Sequence, residues 1–264
     1  MKIDKHAFLR KQLYVQMMTP TERLEALIRR LHPVKTPFDL IRVGGQNDGG
    51  YLVPDDLAGI SACFSPGVGP TCSFESDLLE KFNIASHLCD HSVDGPPGNF
   101  APASFEKRFI GVLDDGVFTT LDSWMERKPE LGQHGDLLLQ MDIEGGEYAA
   151  LLSVSERNLR RFRILVIEFH HAEHWSDPVF FGLVEAMFAK LLNHFHVVHI
   201  HPNNHGRFIE LGHIPVPETF EMSFIRKDRC EPLGYVDILP HPSDNPCLPG
   251  QPELTLPRAW LGAP

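Results

Sequence analysis

Leu137-Leu138-Leu139-Gln140-Met141-Asp142-Ile143-Glu144-Gly145-Gly146-Glu147 decides how the rest of the chain is read. Four of its first five residues are apolar, interrupted only by Gln140, which is the signature of a buried strand. Asp142, Glu144 and Glu147 then crowd around two glycines. A buried strand that runs into an acidic, glycine-bearing turn carries carboxylates to the C-terminal edge of a sheet, where open α/β sheets bind ligands.

On both sides of this stretch, short apolar runs alternate with helical patterns. Strands are expected at 61–65, 84–88, 108–112, 164–169, 196–201 and 220–226. Helices are expected at 73–82, 120–127, 147–152 and 178–193. Residues 39–54, with four glycines in Gly44-Gly45-Gln46-Asn47-Asp48-Gly49-Gly50, read as a short hairpin. This βαβα order predicts an α/β fold with a seven-stranded, mostly parallel sheet and helices on both faces. Residues 1–38 read as a helical cap, with Thr19 as N-cap, Pro20 at the first helical position and Glu22 closing a capping box. Residues 39–229 form the main domain. Eight prolines between 232 and 264 mark 230–264 as an extended or partly disordered tail.

The chain has 264 residues and a formal net charge of −11, with 42% hydrophobic and 22% charged residues. That composition supports a sizeable core. Its acidity disfavours a nucleic-acid backbone or an anionic membrane as partner. The five cysteines (63, 72, 89, 230, 247) show no CxxC spacing, as expected for reduced thiols. No basic-then-apolar leader and no run of eighteen apolar residues occurs. A cytoplasmic protein acting on a small-molecule acceptor is the expectation.

Ser65-Pro66-Gly67-Val68-Gly69 leaves a strand and leads to the helix that opens at Ser73. Gly67 and Gly69 let the backbone approach a ligand, and the helix start offers free N–H groups. The next strand ends in Asp90, a residue type that hydrogen-bonds ribose hydroxyls or else caps a turn. With no GxGxxG in the chain, a cofactor lacking a pyrophosphate, such as S-adenosylmethionine, fits better than a dinucleotide.

Nine of the fifteen histidines fall between residues 170 and 213. In Ile164–His171 strand alternation sets Glu168 and His170 on one face, beside the strand that ends in Asp142. His199 and His201 likewise share a face. Asp142, Glu168, His170, His199 and His201 form a mixed donor set suited to a divalent ion such as Mg, Mn, Fe, Co or Zn, which would orient and acidify an acceptor hydroxyl. Without metal, an imidazole, His170 or His201, could serve as general base, and most of these side chains could also be purely structural. Trp175 is the better aromatic candidate for acceptor contact, and Trp124 reads as core. Asp48-Gly49-Gly50-Tyr51 either lines a pocket mouth or is a plain hairpin turn, and Glu221 either joins the acidic group or faces solvent.

The Asp142–Glu147 turn, Thr120-Leu121-Asp122-Ser123-Trp124 and the GxG strand exit together resemble the FkbM-type S-adenosylmethionine-dependent methyltransferases. Glu168-Phe169-His170-His171, the His199–Asn204 run and the 217–226 segment resemble a methyltransferase-like branch of that family. The likeness spans roughly residues 40 to 228. It implies a Rossmann-like class I methyltransferase sheet with the last strand antiparallel. It also implies that Gly67, Gly69 and Ser73 lie near the methionine tail, Asp90 near the ribose, Asp115 near adenine and Asp142 near the transferred methyl. The loop at 65–69 is shorter in glycine than the fuller loops of many methyltransferases. Asp142, His170 and His201 are the expected catalytic groups, and O-methylation of a sugar or other hydroxylated metabolite is the expected reaction. A metal-dependent enzyme of another class, hydrolase-like and built on the same carboxylates and imidazoles, is the alternative, and a binding module without turnover is a third.

Overall fold

Alternation along three central strands sets the layers. The structure is a computed structural model that describes residues 11, 15–132 and 135–262. In β3 (Ala62–Pro66), β8 (Leu137–Met141) and β9 (Phe162–Phe169), successive residues point to opposite sides. Ala62, Phe64, Leu137, Leu139, Leu165 and Ile167 enter one cluster, and Cys63, Leu138, Ile164 and Val166 enter another. The first cluster is the larger. Against it pack α1 (Thr21–Arg30), α3 (Leu121–Glu126), α4 (Glu147–Ser153), the short α5 (Glu156–Leu159) and α6 (Pro178–His194). The second is covered by α2 (Ser73–Phe82) and by the antiparallel hairpin of β1 (Leu40–Gly44) and β2 (Gly50–Pro54).

The remaining main-sheet strands are β4 (Ser86–Cys89), β5 (Ser104–Glu106), β10 (Phe195–Pro202) and β13 (Phe220–Arg226). Their order is β10-β13-β9-β8-β3-β4-β5. The sheet is mixed: β13 is antiparallel to both its neighbours, and the other neighbouring pairs are parallel. Two small ribbons complete the strands, a parallel pair of β6 (Phe109–Gly111) and β7 (Phe118–Thr120) and a hairpin of β11 (Phe208–Leu211) and β12 (Ile214–Pro217). No helix among the described residues is long and apolar enough to cross a membrane.

Three local expectations are corrected. The run at 108–112 supplies β6 to a side ribbon, and the edge strand of the main sheet is β5 instead. Helix α1 starts at Thr21 behind Pro20, with no side-chain cap bond and no capping box; residues 1–10 and 12–14 of the expected cap lie outside the described residues. The proline-rich segment is anchored in the body: Leu239, Cys247, Leu256 and Trp260 are buried, and Trp260 joins the main cluster with its Nε1 donating to the Pro215 carbonyl at 3.0 Å. One large aromatic between prolines supplies the contact that composition alone does not reveal.

Candidate active site

The strands β3, β4, β8 and β9 all end at the same edge, and their following loops converge there. Gly67, just past β3, has φ +89°, and a Cβ on it would overlap the Asp142 carbonyl. Only glycine lets the two loops touch in this way. Asp142 and Gly67 therefore form a shared wall between two cavities. One, of about 510 Å³, is lined by Val68, Asp90, Phe109, Ile110, Phe118 and Ile143. The other, of about 380 Å³, is lined by Asp48, Tyr51, Gln140, His205, Cys247 and Leu248. A larger cavity, of about 820 Å³, lies at the opposite edge of the sheet among Arg157, Arg160, Arg161, Arg226 and Lys227 and holds none of the candidate residues.

The acidic turn is held from below. Glu147, at the start of α4, is fully buried, and its Oε1 accepts from the amides of Ile143 and Gly145, both at 3.1 Å. The same oxygen lies 3.0 Å from His170 Nδ1. One carboxylate thus fixes both the turn and the imidazole. The backbone around it is bent into the left-handed region at two non-glycine residues, Glu144 (φ 55°) and His171 (φ 58°). Each costs on the order of 1–3 kcal/mol and persists where surrounding contacts over-determine it. Gly145 must be glycine: with φ +106°, a Cβ there would meet His171 Cδ2 at 2.6 Å.

Asp142, Glu168 and His170 do come together, with His170 Nε2 3.7 Å from an oxygen of each carboxylate. Their donor atoms lie close enough to share one cation. Asp142 Oδ1 and Glu168 Oε2 are buried without a hydrogen-bond partner, and Glu168 Oε1 accepts from Asn203 Nδ2 at 2.7 Å. Burial pushes the Asp142 carboxyl up to about 7, against the pull of His170 and with the repulsion of Glu144, Glu147 and Asp48. Burial and the charges of Asp142 and Glu221 also hold Glu168 well above the usual carboxylate range. For His170, burial alone would lower the pKa, but the Glu147 bond and the neighbouring carboxylates raise it to about 9. At neutral pH, His170 is an imidazolium within an acidic ring.

The other predicted residues fall elsewhere. Asp90 lines the 510 Å³ cavity, where it accepts from the Val68 amide at 2.8 Å and from Ser92 at 2.7 Å. Gly69 lines both cavities. Ser73 lines neither; its hydroxyl accepts from the Gly45 amide and donates to the Gly49 carbonyl, tying α2 to the β1–β2 turn. Asp115 is an exposed turn residue whose carboxylate accepts from the Val117 and Phe118 amides at 2.6 Å, and it does not line the cavity. Trp175 is fully buried and donates to the Tyr148 hydroxyl at 3.2 Å, so it faces the core and no acceptor.

His199 and His201 do not join Asp142. They share the expected face, but β13 lies between β9 and β10 and sets them two strands from Glu168 and His170 on β9 and three from Asp142 at the end of β8. His199 Nε2 lies 2.9 Å from Asp244 Oδ1. His201 lies beside Glu221, 3.5 Å from Nδ1, and beside Glu253 at Nε2. Glu221 is buried between Glu168 and His201 in register, so it does enter the acidic row.

Glu147 and the C-terminal segment were not anticipated from sequence, and Asp48 and Tyr51 only as one of two readings of their turn. Glu147 was visible only as part of a motif, although an acidic residue beside free amides at a helix start is itself a signal. Asp48 and Tyr51 of the β1–β2 hairpin line the second cavity. So does the tail, which seals the hairpin turn: the Asp48 amide donates to the Cys247 carbonyl at 3.2 Å and Asn47 Nδ2 to the Pro246 carbonyl at 3.0 Å.

Comparison with known proteins adds one match. The model described as methyltransferase FkbM domain matches residues 117–196. That segment runs from β7 through the acidic turn and the Glu168–His171 strand end to the start of β10. Comparisons with curated proteins and with solved structures gave no match. Residues 117–196 are thus similar to the methyltransferase FkbM domain.

Proposed function

We propose that the chain is an S-adenosylmethionine-dependent methyltransferase acting on a hydroxyl of a small polar metabolite. The observation that carries this reading is the meeting of two cavities at Gly67 and Asp142. A transferase needs two ligands to meet at one point, and this edge supplies two compartments with one carboxylate between them. The strand order, with β13 antiparallel between β9 and β10, agrees with the class I methyltransferase sheet that the family likeness implies and supports the same reading. The five strands β9-β8-β3-β4-β5 pair in parallel, as a Rossmann-like half requires.

The 510 Å³ cavity suits an adenosyl group. It lies within the range of roughly 300–1,000 Å³ usual for small-molecule sites. Phe109, Ile110 and Phe118 offer apolar walls for a flat base, and Asp90 offers carboxylate oxygens for ribose hydroxyls. When bound, S-adenosylmethionine supplies an electrophilic methyl on a sulfonium. The polar, acidic wall of Asp48, Glu75 and Gln140 in the 380 Å³ cavity favours a neutral hydroxylated acceptor over an anion.

Within this reading Asp142 is the general base. Its pKa of about 7 matches the task of taking a proton at neutral pH. His170, protonated and held by Glu147, steadies the ionised Asp142 and keeps the turn in place. His201 does not touch Asp142 and takes no part in the proton transfer. The reaction also needs positioning, which the touching loops at Gly67 and Asp142 provide.

Calorimetric titration with S-adenosylmethionine, followed by transfer of a labelled methyl to a panel of sugars and polyols, tests the proposal. Saturable binding that Asp90→Ala weakens, with label appearing in an acceptor, supports it. No binding at millimolar cofactor overturns it.

A further inference from the structure

A second constellation lies outside the site described above. His201 on β10, Glu221 on β13 and Cys247 on the C-terminal segment are all buried, and their donor atoms lie within 4.8 Å of one another. His201 Nδ1 is 3.5 Å from Glu221 Oε2, and the Cys247 thiol donates to Glu221 Oε1 at 3.3 Å. We propose that these three side chains form a site for a thiophilic divalent ion, of the zinc class, which clips the C-terminal segment onto the sheet.

Three features of the geometry argue for an ion. With one oxygen taken from Glu221, the three donor atoms lie within 4.8 Å of one another, near enough for small side-chain rotations to close them around a tetrahedral ion with bonds of roughly 2.0 Å to N and O and 2.3 Å to S. The ligand set of one thiol, one imidazole and one carboxylate suits a borderline ion and does not suit Mg or Ca. His201 also has the second-sphere partner that metal-bound histidines usually have: its far nitrogen, Nε2, meets the Glu253 carboxylate, whose other oxygen is buried without a partner. Nδ1 is thereby turned toward Glu221.

Binding balances simply. The ion takes the Cys247 sulfur as thiolate, and the thiol proton leaves to solvent. Three protein donors leave a fourth tetrahedral position. Cys247 and its neighbour Leu248 also line the 380 Å³ cavity, so the ion fixes one wall of the compartment assigned above to the acceptor. The site stands on residues other than Asp142, Glu168 and His170 and does not depend on the methyltransferase reading.

Cobalt(II) titration of the chelator-treated protein tests the site. One equivalent is expected to bring up a thiolate-to-cobalt charge-transfer band, which zinc(II) then displaces. The band is lost in Cys247→Ser and His201→Asn and kept in Asp142→Asn. No band in the native chain, or a band that survives in Cys247→Ser, overturns the proposal. If Cys247→Ser does not fold, alkylation of the native chain with peptide mapping decides. Zinc is expected to slow modification of Cys247 at least tenfold and leave Cys230 unchanged; equal rates with and without zinc overturn the proposal.

Discussion

Replacing Asp142 by Asn should abolish methyl transfer and make the fold more stable, with a stability gain that depends on pH. Folded Asp142 has a pKa of about 7 against an ordinary value of 3.8. Its ionisation is therefore harder in the folded protein, and stability is lost as pH climbs from about 4 to about 7. The difference of roughly three pKa units corresponds to a ceiling of about 4 kcal/mol at pH 8. The side chain is 29% exposed, so solvent screening brings the expected figure nearer ~2 kcal/mol. Asn carries no charge in either state and removes this cost. Urea unfolding at pH 8 should show the Asn variant more stable by about 2 kcal/mol at unchanged m-value, and at pH 4 the gap should close to within error. Turnover should fall by roughly 10²-fold or more for loss of a general base. A variant that is less stable at pH 8, or equally offset at both pH values, would refute the reasoning about burial.

Three further outcomes are expected. The pH profile of kcat/KM should be bell-shaped, rising near 7 as Asp142 loses its proton and falling near 9 as His170 loses its own; a profile flat from 6 to 9 would remove both groups from the proton transfer. Asp90→Ala should weaken S-adenosylmethionine binding about 10- to 100-fold by calorimetry, the loss expected for hydrogen bonds to a charged group, while circular dichroism stays native. Trp260→Ala should cost roughly 3–5 kcal/mol in denaturant unfolding, the usual figure for removing a buried aromatic; a loss below 1 kcal/mol would mean that the C-terminal segment is not part of the core.

Much of the fold was legible because periodicity carries it. Ser73–Phe82, Leu137–Met141 and Phe220–Arg226 coincide with the expected elements to the residue. The edge strand β5 was missed because Ser104-Phe105-Glu106 is too short to show any period. At the site, alternation correctly paired Glu168 with His170 and pointed both at Asp142. The same alternation set His199 and His201 on the right face but said nothing of lateral distance, which depends on where β13 enters the sheet. The tail was illegible for a related reason: its burial rests on isolated anchors, Leu239, Cys247, Leu256 and Trp260, spaced without pattern among prolines.

The sealing of the 46–49 turn by residues 245–249 has a consequence for biosynthesis. The second compartment draws one wall from residues 47–51 and another from residues 247–249, about two hundred positions later. A nascent chain on the ribosome can complete the sheet and the 510 Å³ cavity while that compartment still has only one side. The second compartment closes only after residues 245–249 have emerged. Chimeras that exchange only residues 241–253 should reshape the pocket while the sheet and the touching loops at Gly67 and Asp142 stay as they are.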